Sequence, residues 1–193
     1  MKILGITGGV GSGKSEVLQF LQEAYGAVVS PLDDAARRLQ QKGQPCYERI
    51  VEAFGQDILG ADGELDRGKL AETVFSSPQK LAILNSIIHP EVRRWVEQDI
   101  SQKEREGEEL YVLESALFPD VDYGDLCGEM WYVYAEESVR CRRLARSRGY
   151  TEERTRGMIR SQPSEAAFRK ICTAVLDNSG AFENTKKQIG ELL

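Results

Sequence analysis

Residues 8–15 read GGVGSGKS, and this short stretch decides the fold. An apolar run at residues 3–7 precedes it and predicts a strand. Apolar side chains at helical spacing follow it from Val17 to Ala24. A second apolar run, residues 27–30, then predicts another strand. Strand, glycine-rich loop, helix and strand together are typical of a βαβ unit.

The stretch also fits the pattern G-x-x-x-x-G-K-[ST] without a gap, between a strand and a helix, which is the context that supports a phosphate-binding loop. Glycines let successive N–H groups curl around phosphate oxygens, and a helix N-terminus attracts anions. Lys14 is expected on the β- and γ-phosphates and the Ser15 hydroxyl on Mg²⁺. The pattern favours ATP with Mg²⁺ as the ligand. The predicted ATP-binding residues of the loop are Gly9, Val10, Gly11, Ser12, Gly13, Lys14, Ser15 and Glu16.

Three more apolar runs, at residues 110–113, 131–135 and 174–176, predict further strands. Most of the five runs are continuously apolar, which indicates strands buried on both faces of a parallel sheet. The class is therefore α/β, with a five-stranded parallel sheet at its centre.

The segment between the second and third strands differs in pattern, because its apolar residues recur at helical spacing. Ser77-Pro78 is a good helix start, and His89-Pro90 is predicted to end one helix and begin another. We expect a single domain with a P-loop kinase core at 1–33 and 106–193. A helical substrate-binding insert would occupy 34–105.

Composition excludes several classes of protein. The 25 basic and 31 acidic residues give a net charge of −6, so no overall basic surface for nucleic acid is expected. No apolar run approaches the roughly 20 residues that span a bilayer, and no signal peptide is visible. The four cysteines lack C-x-x-C spacing and His89 is the only histidine, which argues against a zinc site. These features predict a cytoplasmic protein with reduced thiols, a monomer or small homo-oligomer without membrane or nucleic-acid partners.

Several classes of protein share the phosphate-binding loop. Ras-type GTPases recognise guanine by an Asn-Lys-x-Asp sequence, which this chain lacks. A small kinase needs a base near the acceptor hydroxyl, a basic lid over the γ-phosphate and a substrate subdomain. Asp33 follows the second strand, whose carboxyl end lies beside the phosphate loop in a parallel sheet. It is therefore the candidate base, with Asp34 as the competitor. The alternatives are a helix N-cap for Asp33 and a solvated surface acid for Asp34.

Five arginines lie close together after the fourth strand. They mark the start of a predicted lid at about 140–165. Guanidinium groups can stabilise the charge of a transferring phosphoryl group. The alternative is a solvated helix face paired with nearby glutamates. The five are Arg140, Arg142, Arg143, Arg146 and Arg148.

Two other polar positions end strands. Glu114 could orient the water shell of Mg²⁺, although a plain surface glutamate remains an alternative. Asn178 opens an Asn-Ser-Gly turn after the last strand, where the chain could pass over adenine.

With these parts in order, the sequence resembles the dephospho-CoA kinase family over nearly its whole length. The D-G-x-L-D-R motif followed by His-Pro is more specific than the phosphate loop. The matching stretches are TGGVGSGKSE at 7–16, PLDDAA at 31–36, DGELDR at 62–67, HP at 89–90, RLARSRGY at 143–150 followed by Gln162, and LDNSG at 176–180. The resemblance implies that His89 belongs to the framework of the substrate domain or to its pocket and is not a metal ligand.

The resemblance implies ATP-dependent phosphorylation of the ribose 3′-hydroxyl of dephospho-CoA, the last step of coenzyme A synthesis. The insert would hold the CoA side of the substrate, with Asp33 as the base. Lys14, Arg143, Arg148 and then Arg140 would complete the catalytic set. Three departures from the family pattern are Glu16, in place of a threonine, Pro31, in place of an aspartate, and ALFPD at 116–120, in place of P-L-L-F-E.

Two other functions fit part of the pattern. One is a kinase for another small alcohol, such as a nucleoside monophosphate, gluconate or shikimate. The other is a regulatory or binding protein that keeps the nucleotide site without turnover, which Glu16 and Pro31 leave open.

Overall fold

The computed structural model of the chain describes residues 1–121 and 123–193. In these residues the strands form a five-stranded sheet in the order β2-β3-β1-β4-β5. The pairings of β1 with β3, β1 with β4 and β4 with β5 are parallel. This confirms the α/β class. The strands are β1 (Lys2–Thr7), β2 (Val28–Pro31), β3 (Leu110–Glu114), β4 (Glu129–Tyr134) and β5 (Ala174–Asp177).

The sheet is covered on both faces, which explains why its strands read as continuous apolar runs. Trp131 and Val133 of β4 are fully buried in a cluster with Val17, Leu21 and Ile189. Successive side chains of a strand point to opposite faces. Between those two residues Tyr132 therefore points the other way, where its ring stacks on Phe168 with centroids 4.9 Å apart.

Three of the helices around the sheet begin or end at a residue type that favours a helix cap. Gly26 ends the first helix in the left-handed conformation, with φ 65°. Thr151 and Ser164 each accept a backbone N–H at a helix start. These helices are α1 (Lys14–Tyr25), α6 (Glu137–Arg148), α7 (Glu152–Arg160), α8 (Glu165–Ile171) and α9 (Phe182–Leu192), and a 3-10 helix, Phe118–Asp120, follows β3.

The chain divides into two compact units, residues 1–30 with 103–193 and residues 31–102. The second unit lies three residues earlier at each end than the predicted insert, so Asp33 belongs to it. Its buried side chains include Cys46, Ile50, Ile58 and Leu70. Its helices are α2 (Leu32–Leu39), α3 (Pro45–Phe54), a 3-10 helix (Gln56–Ile58), α4 (Arg67–Phe75) and most of α5 (Pro78–Glu106).

None of the helices formed by the described residues is both long enough and apolar enough to cross a membrane.

The predicted helix break at His89-Pro90 is wrong, because α5 runs without interruption through Pro90. A proline inside a helix removes the hydrogen bond to the carbonyl four residues earlier, here that of Ser86. The helix continues because it is buried on both sides of the proline, at Ile87 before it and at Val92 and Val96 after it. Tertiary packing outweighs the local signal.

Replacing Pro90 with alanine should therefore stabilise the second unit. Pro90 is exposed, and the substitution restores a backbone donor inside α5. We expect the free energy of unfolding to rise by about 1–3 kcal/mol in chemical denaturation, after allowing for the freer unfolded chain. The matched control is Gln98→Ala at an exposed position of the same helix, expected to change it by a few tenths of a kcal/mol. An unchanged or lower stability of P90A would contradict this account.

Candidate active site

The phosphate loop connects β1 to α1, and Gly13 closes it as the N-cap of α1. Gly13 has φ 91°, in the left-handed region that glycine adopts without strain. A Cβ atom at this position would also collide with Nδ2 of Asn178 and lie 3.2 Å from Nη1 of Arg143. Glycine is therefore required here both for its backbone conformation and for close approach.

A cavity of about 440 Å³ opens in front of the loop, within the range of ligand-binding pockets. Three cationic side chains line it against a single carboxylate, so the cavity favours an anion. It brings together most of the predicted loop residues and two of the predicted lid arginines. Its lining is Gly9, Val10, Gly11, Gly13, Lys14, Ser15, Leu18, Glu114, Arg143, Leu144, Ser147, Arg148 and Gln162.

Lys14 reaches back across the loop. Its Nζ donates to the Gly8 carbonyl at 2.6 Å and lies 3.5 Å from Oε1 of Glu114. Both Lys14 and Glu114 side chains are largely buried, at 17% and 16% exposed. The ammonium group is thus already positioned at the cavity before an anion binds, and its neighbours hold it there.

Ser15 and Glu114 supply a hydroxyl and a carboxylate to the same cavity. Mg²⁺ prefers oxygen ligands and is usually bound by one or two protein groups together with substrate phosphates. The described residues contain no group of three or more His, Cys, Asp or Glu side chains suited to a metal. The residues present therefore fit a magnesium ion that arrives with a nucleotide.

Asn178 supports the phosphate loop through a hydrogen bond to its backbone. It is fully buried, and its Nδ2 donates to the Ser12 carbonyl at 2.9 Å. Its Oδ1 accepts from the Thr185 hydroxyl at 2.9 Å. Because both ends of the amide face protein groups, the geometry supports a role in positioning the loop. Contact with the nucleotide at Asn178 stays a prediction.

Arg143 and Arg140 also bind loop carbonyls. Arg143 donates to the carbonyls of Ser12 at 3.1 Å and Asn178 at 2.8 Å. Arg140 Nε donates to the Val10 carbonyl at 2.7 Å, and burial lowers the pKa of its guanidinium. An arginine remains charged at neutral pH despite such a shift. Both arginines therefore act on the backbone of the loop.

The other three arginines are exposed. Arg148 lines the cavity, and its guanidinium lies 6.0 Å from the centre of the Tyr150 ring. Arg142 and Arg146 do not line the phosphate cavity, and their exposure agrees with the alternative of a solvated helix face. The predicted arginine cluster thus divides into two loop-binding members, one cavity member and two surface members.

Asp33 lies in the other compact unit, in the first turn of α2 and exposed to solvent. It is not an N-cap, because the N-cap of α2 is Pro31. Asp34 lies 3.4 Å from Arg37, whereas no hydrogen bond or ion pair of Asp33 is found among the described residues. The structure thus gives the two carboxylates different surroundings, and only Asp34 has an ionic partner there.

Sequence reasoning assigned no role to Gln162 or Thr185. Gln162 Oε1 accepts the N–H of Val10 at 2.9 Å, and Thr185 orients the Asn178 amide. Nothing local marks Thr185, since contacts between residues distant in sequence are not visible in a motif. For Gln162 the only sequence signal was its place in the family pattern after the lid arginines.

The pairing of Asn178 with Thr185 can be measured as a coupling. Asn178→Ala should lower the free energy of unfolding by about 1–3 kcal/mol, because the Ser12 carbonyl and the buried Thr185 hydroxyl each lose a partner. Thr185→Val should lower it by about 1 kcal/mol, and the double variant by about 1 kcal/mol less than the sum. Asn184→Ala, an exposed amide nearby, is the control and should change little. Strict additivity would disprove the shared network.

Comparison with known proteins agrees with the geometry. A family model described as dephospho-CoA kinase matches residues 2–184. The dephospho-CoA kinase of Carboxydothermus hydrogenoformans is 36% identical over 193 residues, covering 100% of this chain and 93% of that protein. A crystal structure of a Thermus thermophilus protein superposes with TM-score 0.83 at 33% identity, covering 99% of this chain and 95% of that one.

Dephospho-CoA kinase from Campylobacter jejuni superposes with TM-score 0.71 at 20% identity, covering 100% of this chain and 98% of that one, which supports the fold alone. The predicted fold class, an α/β fold of the P-loop kinase type, is confirmed by this likeness and by the sheet order. The bounds of the core and of the substrate-binding insert stay a prediction. With a family match over almost its full length, the chain belongs to the dephospho-CoA kinase family, and it is a kinase.

Proposed function

We propose that this protein transfers the γ-phosphoryl group of ATP to the ribose 3′-hydroxyl of dephospho-CoA, giving coenzyme A and ADP. The observation that carries the proposal is the cationic cavity on the phosphate loop, in a chain of this family. The cavity accounts for the donor, and the family accounts for the acceptor. Both substrates are small molecules, and the reaction needs neither nucleic acid nor a membrane.

The donor phosphates would lie on the N–H groups at the start of α1. No backbone partner of the Lys14 and Ser15 N–H groups is found among the described residues, whereas the Glu16 N–H donates to the Gly13 carbonyl at 3.1 Å. The helix dipole adds to the attraction of these groups for an anion. Lys14 lies at the cavity mouth with its ammonium group held by Gly8 and Glu114. On binding, it would exchange part of that contact for the β- and γ-phosphates.

Ser15 and Glu114 would hold Mg²⁺, which supplies positive charge to the phosphate oxygens when it is bound. Arg148 is the cavity arginine whose guanidinium is not committed to the loop backbone. It is therefore the best placed of the five for the charge that develops on the transferring group. Arg140 and Arg143, whose guanidinium groups bind carbonyls of the loop, would add positive potential at the bound phosphates.

Asp33 is proposed as the general base. It follows the carboxyl end of β2 by two residues along the chain, and ligands in parallel sheets bind at that edge. The 3′-oxygen would attack the γ-phosphorus as the bond to the β,γ-bridging oxygen breaks, and ADP would leave. The hydroxyl proton would pass to the Asp33 carboxylate. Asp34 is the weaker candidate because it faces Arg37.

The reaction is tested by incubating the purified protein with ATP, Mg²⁺ and dephospho-CoA. We expect coenzyme A and ADP to form in equal amounts. With gluconate, shikimate or AMP as acceptor, kcat/KM should be lower by at least roughly a hundredfold, because those acceptors lose the contacts to the CoA side. Lys14→Ala should abolish turnover in every case. If dephospho-CoA leaves ADP release at the ATPase background, the proposed function is wrong.

The base is tested by Asp33→Asn, which keeps the size of the side chain and removes its basicity. We expect kcat to fall by roughly 10²–10⁴-fold, with the affinity for ATP nearly unchanged. Asp34→Asn is the matched control and should lower kcat by less than about threefold. A near-normal kcat in D33N would show that a group other than Asp33 accepts the hydroxyl proton.

A further inference from the structure

Gln162 stands at the joint between α7 and α8, and no step of the proposed reaction uses it. Its backbone N–H donates to the Ile159 carbonyl at 3.2 Å, which ties it to the last turn of α7. Two residues later, Ser164 caps α8 by accepting the N–H of Ala167 at 3.2 Å. The backbone of Gln162 is therefore fixed by the helices on either side of it.

The side chain of Gln162 reaches from this joint to the phosphate loop. Its Oε1 accepts the Val10 N–H at 2.9 Å and Nη2 of Arg140 at 3.2 Å. Arg140 in turn donates through Nε to the Val10 carbonyl at 2.7 Å. Both polar backbone groups of Val10 are thus bound by side chains, one from the α7–α8 joint and one from α6.

The side chains of Gln162 and Arg140 pack closely against the phosphate loop at Gly9. A Cβ atom on Gly9 would lie 2.9 Å from Cζ of Arg140 and 3.0 Å from Oε1 of Gln162. Only a glycine next to Val10 lets the two side chains lie so near the loop. The packing is therefore specific to this arrangement of lid and loop.

Gln162 also borders two cavities. It lines the phosphate cavity and a second cavity of about 260 Å³, whose walls include Tyr132, Phe168 and Arg140. In the described part of the chain, it is the one residue that both linings share. An amide at this place is in position to respond to what fills the phosphate cavity.

We propose that Gln162 is a positioning residue that latches the α7–α8 part of the lid to the phosphate loop through Val10 and Arg140. This rests on the proposed use of ATP. The Val10 N–H is bound by Gln162 and the Ser12 N–H by the Gly9 carbonyl at 3.2 Å, so these contacts hold the loop in shape. A loop ordered in advance loses less entropy when its ligand binds, so the latch sets nucleotide affinity more than the rate of phosphoryl transfer.

The test compares Gln162→Leu, which removes the acceptor at similar volume, and Gln162→Asn, whose shorter amide falls short of the loop. Calorimetry with a non-hydrolysable ATP analogue and Mg²⁺, without acceptor, should give a Kd about 5- to 30-fold weaker in both variants. The KM for ATP should rise by a similar factor, with kcat within about threefold and the KM for dephospho-CoA within about twofold of the original protein. Ser161→Ala, whose exposed hydroxyl bonds the Met158 carbonyl, is the control and should match the original protein.

A second measurement reports on the latch directly. Hydrogen exchange at the Val10 amide, followed by NMR in the nucleotide-free protein, should be faster in both Gln162 variants than in S161A. Should Q162L not fold, Q162N carries the test. An analogue affinity within twofold of the original in a folded variant would overturn the proposal, as would a loss confined to kcat. Because the calorimetry contains no acceptor, it stands even if dephospho-CoA proves not to be the substrate.

Discussion

The site depends on how the carbonyl groups of the phosphate loop are occupied. Alternate carbonyls each have a donor: Gly8 has Lys14, Val10 has Arg140, and Ser12 has both Asn178 and Arg143. Two loop N–H groups are also bonded within the protein, that of Val10 to Gln162 and that of Ser12 to the Gly9 carbonyl. The loop N–H groups for which no partner is found among the described residues are the donors left for a ligand. Buried backbone groups must be paired, and here the pairing itself sets the direction in which the free donors point.

These donors come from segments far apart in the chain, and the sheet order brings them together. β1 lies in the middle of the sheet, with β4 and β5 on one side. Because the strands pair in parallel, the segments that follow β4 and β5 emerge at the same edge as the loop. That is why α6 can supply arginines and the turn after β5 can supply Asn178.

The sequence alone allowed the strands, the loop and the family to be predicted, because each depends on a local pattern. The strands were apparent because both faces are buried, and the loop because its glycines and lysine have fixed spacing. The helix break at Pro90 was a wrong prediction, since it rested on local propensity and ignored the burial of Ile87 and Val92. The α4 helix was not predicted, although Asp66 caps it by accepting the N–H groups of Gly68 and Lys69.

The five arginines of the predicted lid show what composition cannot distinguish. Arg143 and Arg148 lie in the same motif and carry the same charge, but one binds two carbonyls and the other is exposed at the cavity. A guanidinium held by backbone acceptors contributes a fixed positive potential, whereas an exposed one can follow a moving ligand. In the proposed reaction, Arg143 would support the bound phosphates through the loop, and Arg148 would follow the charge that develops on the transferring group. Two chemically identical residues can therefore divide these tasks by position alone, and only their contacts reveal the division.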